Sequence, residues 1–211
     1  MINIKIKKMK HIIFTRFIYD EGSKADKRLE IMKETLIKCL HAQTNQNFVW
    51  SLMCKEHHRK TIEEMYGKEV LFWGGSEGFK KFVKENNYEI QTRHDSDDIM
   101  CPEYVQLLQN EYESNKFRKE PFLIEFQPMF HSFGSNHFHE FTLDYAKRGS
   151  TSAFITLCPQ NTGQTIWDHT HTAWVSKIKT IIRHKNRKCV AATVHGSNTT
   201  TGNSYRGKRI I

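Results

Sequence analysis

The chain has 211 residues and a formal net charge of +9 at pH 7. An apolar content of 38% with 14 Phe and 4 Trp, against only 4 Pro and 11 Gly, excludes a collagenous or largely disordered chain and supplies one sizeable core. The excess of cations directs the surface toward anions, without choosing among nucleotides, nucleic acid, acidic glycans and lipid headgroups.

No apolar run approaches the ~20 residues that span a bilayer. The start, Met1-Ile2-Asn3-Ile4-Lys5-Ile6-Lys7-Lys8, lacks the apolar core of a signal peptide, so a cytoplasmic location is expected. Cys39, Cys54, Cys101, Cys158 and Cys189 are widely spread with no C-x-x-C pair, and read as reduced, mostly buried thiols.

Residues 1–10 alternate Ile and Lys and read as a basic extension or an edge strand. His11 to Phe17 is a short apolar run that predicts a first strand. Turn residues Asp20, Gly22 and Ser23 follow, then Leu29, Met32, Leu36 and Leu40 at helical spacing. Phe48 to Cys54 predicts a buried second strand and Glu69 to Trp73 a third, stopped by Gly74-Gly75. Ser76 is placed to cap a helix over roughly residues 77–87. A fourth strand, Tyr88 to Arg93, runs into Asp95-Ser96-Asp97-Asp98, and Pro102 suits the first turn of a helix carrying Val105, Leu108 and Tyr112.

The second half changes character. Candidate strands are Phe122 to Phe126, His137 to Leu143 and Ala153 to Leu157, followed by a helix around Trp174, Ile178, Ile181 and Ile182 and a late strand, Val190 to Val194. Strands alternating with helices early, and strand-rich sequence late, predict an α/β fold with a mainly parallel central sheet flanked by helices and a mixed second half. One domain is expected over residues 11–211.

Three carboxylates within four residues beyond a buried strand repel one another unless a cation or a set of donors offsets them. Magnesium and manganese prefer oxygen ligands and accept one or two carboxylates completed by phosphates and water. Asp95 and Asp97 are therefore candidate binders of a metal-diphosphate unit, and ligands of open α/β sheets bind at the carboxyl ends of the strands. The bland alternative is an Asp-rich turn capping the next helix.

Gln43-Thr44-Asn45-Gln46-Asn47-Phe48-Val49-Trp50 resembles the helix-to-strand passage of GT-A glycosyltransferases, and Arg93-His94-Asp95-Ser96-Asp97-Asp98 followed by Pro102 is similar to their D-x-D element. Within that class the chain most resembles the rhamnosyltransferase-like family of viral and bacterial surface-glycan enzymes, through Thr15-Arg16-Phe17, the Gln43 passage, the acidic cluster and His195-Gly196-Ser197-Asn198. The resemblance implies a GT-A fold, with a nucleotide-binding half over 11–115 and an acceptor-side half over 116–211. It also implies a nucleotide-sugar donor, with uridine as the expected base, a glycan or glycoprotein acceptor, and Mn2+ or Mg2+ as cofactor. Asp97 would be the principal metal ligand, Asp95 would reach the ribose or the metal, and His195 would complete the site. Thr15 and Arg16 would lie near the base and ribose, and Arg93 would orient the acidic loop or meet donor oxygens.

In Trp167-Asp168-His169-Thr170-His171-Thr172 the two His stand at i and i+2, which is not the helical zinc spacing, so an acceptor-side loop is the reading. Asp168 is the candidate general base if the reaction inverts configuration. Lys177, Lys179, Arg183, Lys185, Arg187 and Lys188 read as one solvated basic helix face, with an anion-binding face as the alternative. The rival functions are a basic nucleic-acid-binding protein or metal-dependent nuclease, and a carbohydrate-binding module. No zinc finger or RNP-like motif supports the first, so no nucleic-acid partner is expected.

Overall fold

The computed structural model describes residues 9–126, 129–132, 138–139, 154–170, 173–184 and 189–194. The strands are β1 (His11–Phe17), β2 (Val49–Cys54), β3 (Leu71–Trp73), β4 (Ile90–Arg93), β5 (Ile99–Met100), β6 (Phe122–Phe126), β7 (Met129–Ser132), β8 (Phe138–His139), β9 (Ile155–Cys158), β10 (Thr180–His184) and β11 (Val190–Val194). The helices are α1 (Ser23–Met32), α2 (Lys38–Ala42), α3 (Arg59–Tyr66), α4 (Ser76–Asn86), α5 (Tyr104–Asn115) and α6 (Trp174–Lys177).

Seven strands form the main sheet in the order β10-β6-β9-β4-β1-β2-β3. Every neighbouring pair is parallel except those made by β9, which runs antiparallel to both β4 and β6. The expected α/β architecture is therefore present. A second sheet, β5-β11-β7-β8, is built from the segment after the acidic loop and from the late chain.

The alternation of β1 distributes the core. Ile13 and Phe17 join Met32, Leu36, Trp50, Ile62 and Leu108 on one face of the sheet, while Ile12 and Phe14 join Phe79, Val83 and Trp174 on the other. Helices thus cover both faces, as parallel strands require. A polar seam crosses the interior: buried His11 hydrogen-bonds Thr92 Oγ1 at 2.9 Å, and Thr92 bonds Thr156 Oγ1 at 2.9 Å. Burial pushes the His11 imidazole down to about 3, so it is neutral in this seam.

Between α1 and α2 the helix continues through a π-helical turn, Lys33–Ile37. The Thr35 hydroxyl donates back to the Ile31 carbonyl at 2.7 Å, and Lys38 pairs with Glu34 across the turn. Gly67 ends α3 in the left-handed conformation at φ 65°, its N–H closing on the Glu63 carbonyl at 2.7 Å.

Four readings change. The helix expected around Trp174 to Ile182 is one turn only, because Ile181 and Ile182 belong to β10 and pair with Leu123 and Ile124. β-branched residues beside an open sheet edge favour that outcome over local helical spacing. Lys177 accordingly ends α6 while Arg183 lies on β10, so they share no helix face; Lys185, Arg187 and Lys188 lie outside the described residues. Ser76 is the first residue of α4 and makes no capping bond. Pro102 precedes α5, whose first residue is Tyr104.

The cysteine reading also needs correction. Cys101 and Cys189 form a disulfide with Cα atoms 4.7 Å apart, whereas Cys39, Cys54 and Cys158 are free. Antiparallel pairing of Met100 with Val190 sets the two cysteines opposite each other, across 88 residues of sequence in which spacing gives no sign of it. The expected strand His137 to Leu143 is described only at Phe138–His139.

Candidate active site at the carboxyl end of the sheet

β1 and β4 are parallel neighbours, with Phe14 opposite Arg93, so the chain leaving β4 emerges beside the last turn of β1. The acidic loop begins there. The His94 N–H donates to the Phe14 carbonyl at 2.9 Å, and the His94 ring donates from Nδ1 to the Asp95 carbonyl at 3.0 Å. With that ring buried against Tyr104 and Phe154, its pKa falls below the ordinary value. His94 is thus a neutral wedge that fixes where the loop turns.

The three carboxylates have three different environments. Asp97 meets Arg28 of α1 in a 2.8 Å ion pair, with side chains 13% and 7% exposed. The same guanidinium donates to the Tyr19 hydroxyl from Nε at 2.8 Å and stacks over the Tyr19 ring. Burial works against the charge on Arg28, but Asp97 and Tyr19 outweigh it and its pKa rises. Asp95 is half-exposed and faces Arg93 at 3.7 Å. Asp98 is buried and turned away, accepting the Thr193 N–H of β11 at 3.1 Å. Burial first, then the neighbouring Asp97 and Asp95, push the Asp98 carboxyl well above its usual range.

Arg93 continues the site toward the second half of the chain. Its guanidinium lies over the Trp167 ring at 4.6 Å, and that of exposed Arg16 lies 5.8 Å from the same ring. Burial and the proximity of Arg16 lower the pKa of Arg93 while Asp95 opposes them. The loop bearing Trp167 is pinned from below: the Gln91 carboxamide accepts the Ile166 N–H at 2.9 Å and donates to the Gln164 carbonyl at 3.2 Å. The Trp174 indole N–H donates to the Ile166 carbonyl at 3.1 Å.

The Gln43 passage has a physical role. Gln43 Nε2 donates to the Cys101 carbonyl at 2.8 Å, its Oε1 accepts the Val105 N–H at 3.0 Å, and the Thr44 N–H donates to the Pro102 carbonyl at 2.9 Å. One side chain at the end of α2 therefore caps α5 and holds the strand that follows the acidic loop.

The structure brings Arg16, Arg93, Asp95 and Asp97 to one end of the sheet. Thr15 lies beneath them: its side chain is fully buried, and its Oγ1 accepts the Trp50 indole N–H at 3.1 Å. Alternation along β1 sends the Thr15 and Arg16 side chains to opposite faces. Asp168 neighbours Trp167, but its carboxylate accepts the Thr165 N–H at 2.8 Å and faces Lys80 at 3.8 Å. His195 and His171 lie outside the described residues, and His169 stacks edge-on against Trp174. Arg28 and Tyr19 were not among the residues the sequence singled out, and Trp167 stood there only as the first residue of the histidine-bearing loop. No described helix is long and apolar enough to cross a membrane.

No family model and no curated protein matches the chain. Solved structures do. The chain resembles S. aureus TarS 1–349 in complex with UDP-GlcNAc at a TM-score of 0.57 and 13% identity, over 90% of this chain and 60% of that one. A cytidylyltransferase from Leptospira borgpetersenii serovar Hardjo-bovis matches at a TM-score of 0.50 and 16% identity, over 85% of this chain and 77% of that one. The chain thus has a GT-A-like fold, and it spans about 60% of the TarS chain it matches.

Proposed function

We propose that the chain is a glycosyltransferase that takes a hexose or deoxyhexose from a nucleotide diphosphate sugar, with uridine as the base, and transfers it to a hydroxyl of a glycan or glycoprotein. The observation that carries this reading is the acidic loop at the carboxyl end of β4, with Asp97 and Asp95 each countered by an arginine. That is where an open α/β sheet binds nucleotides.

The donor set fits magnesium or manganese. The two carboxylates are hard oxygen ligands, and no group of three ligating side chains occurs among the described residues. An ion there would keep water and diphosphate oxygens as its remaining ligands, which is how these ions bind. Asp97 and Asp95 would hold it, joined by His195 from the late chain. Such an ion, when bound, would supply positive charge to offset that developing on the leaving diphosphate. The residues of the chain do the rest. Arg28 aims Asp97 through its 2.8 Å hydrogen bond, while Arg93 and Arg16 present two guanidiniums on the Trp167 ring to the donor oxygens. Asp168 would act as base only in an inverting reaction, and would first have to loosen its contact with Lys80.

Calorimetry of UDP with manganese and with EDTA tests the reading. Tight binding should require the metal, and Asp97→Asn should weaken it at least about tenfold, the scale of losing even an outer partner of a metal ligand. Equal affinity in EDTA would refute it. The likeness to a cytidylyltransferase favours a second reading, nucleotidyl transfer. Pyrophosphate release from CTP, rather than UDP release from a UDP-sugar, would establish that one.

A further inference from the structure

The end of the sheet opposite the acidic loop carries a feature that the reaction does not use. β6 and β10 are parallel neighbours, with Thr180 opposite Phe122, so the links that feed them enter side by side. One link follows α5 and reads Lys116-Phe117-Arg118-Lys119; the other runs from Lys177, the last residue of α6, and holds Lys179. All six of these side chains are exposed, and Phe117, at 86%, is the most exposed large hydrophobic residue described.

The charges are poorly offset. Lys116 pairs with Glu113 and lies 5.6 Å from the Phe117 ring, and Arg118 donates to the Asn115 carboxamide. Lys119, Lys177 and Lys179 make no ion pair among the described residues, and Glu120 is the one acid within the first link. A single exposed aromatic is ordinary, and so is a run of surface lysines. The two together, on adjacent links at one corner, are different. Five cations on the two links, one of them against a ring held in water, match a surface with anionic headgroups outside and hydrocarbon just beneath, because the ring gains by leaving water only where the cations also find phosphate.

We propose that this corner is a docking site for an anionic lipid bilayer, with Phe117 inserting between headgroups and the five basic side chains lying on them. Nucleic acid would satisfy the cations but gives the ring no apolar layer to enter. The proposal is independent of the catalytic reading. Docked by this corner, the protein holds its acidic loop on the side away from the membrane.

The test is co-sedimentation of the whole chain with vesicles of phosphatidylcholine alone and of phosphatidylcholine mixed with phosphatidylglycerol. Binding is expected to the anionic vesicles only, falling as salt rises. Each cation near an anionic leaflet strengthens binding about fivefold, so Lys119→Gln with Lys179→Gln should weaken it about 25-fold. Both positions are exposed, and the thermal transition of the double variant should match that of the wild type. In a separate measurement, Phe117→Trp should add indole emission that shifts to the blue with anionic vesicles. Equal binding to neutral vesicles, unchanged affinity of the double variant, or an unshifted indole would each overturn the proposal. So would a short RNA duplex that binds more tightly than anionic vesicles at the same salt, regardless of Phe117→Ser.

Discussion

The two ends of the main sheet handle charge in opposite ways. At the carboxyl end, Asp97, Asp95 and Asp98 are answered inside the protein by Arg28, Arg93 and the Thr193 N–H. At the amino end, Lys119, Lys177 and Lys179 stand in water. Buried charge needs a partner built into the fold, whereas exposed charge is satisfied by solvent and left available for a partner from outside. Substitutions should therefore cost stability at the first end and leave it almost untouched at the second.

The largest effect should come from Arg28→Met. It leaves a nearly buried Asp97 without its 2.8 Å partner and frees the Tyr19 hydroxyl, and removing one member of such a pair costs about 3–5 kcal/mol. Urea unfolding in EDTA measures it, and a loss no larger than that of a surface substitution would break the comparison. Thr15→Val should come next. It strands the buried Trp50 indole N–H at a cost of about 1–3 kcal/mol. If Thr15 belongs to the core rather than to the ligand, UDP affinity should stay at the wild-type value in the same protein.

Asp98→Asn sharpens the contrast through pH. The folded carboxyl titrates above its unfolded value near 3.8, so the stability it contributes is full below that value and is lost as pH rises through the raised folded one. The amide oxygen still accepts the Thr193 N–H but carries no charge. The wild type should therefore be favoured over the variant at acid pH, and the variant should gain on it toward neutrality in EDTA. Parallel stability profiles for the two proteins would contradict this. The smallest change belongs to the other end, where Lys177→Gln should move stability by no more than about 0.5 kcal/mol in a thermal melt.

Much of the first half was legible because its signals are local. The apolar runs of β1, β2 and β4, with Asp95 and Asp97 just beyond a strand end, are periodic or contiguous patterns that sheet pairing merely assembles. Arg28 was not legible. It sits 69 residues from Asp97, after Lys24 and Lys27 on α1, and nothing in its own helix marks it as buried. Trp167 was quoted only within a histidine-bearing loop; its role depends on Gln91 and Trp174 holding that loop over Arg93. β10 was misread because Ile178, Ile181 and Ile182 have helical spacing, and only the open edge of β6 decides between helix and strand. The disulfide and the small sheet escaped for one reason: β5 is two residues long, and its partner lies late in the chain. The narrower rhamnosyltransferase-like resemblance rests on sequence alone.

The π-helical turn governs how the acidic segment is gripped. Arg28, before the turn, holds Asp97; Gln43, after it, holds Cys101 and Val105; and the turn itself lies against β5. Bonding from i to i+5 puts one more residue into this turn than an α-helix would, and one residue of an α-helix is about 100° of rotation and 1.5 Å of rise. The helix therefore works as a screw with one altered thread, whose phase brings two grips on the same side. Winding the same residues as a regular helix would swing Gln43 about 100° out of line with Arg28, whereas deleting one residue within Lys33–Ile37 would restore the regular helix and keep the two grips in phase. The local irregularity that propensity alone would remove is what lets one helix clasp both ends of the loop.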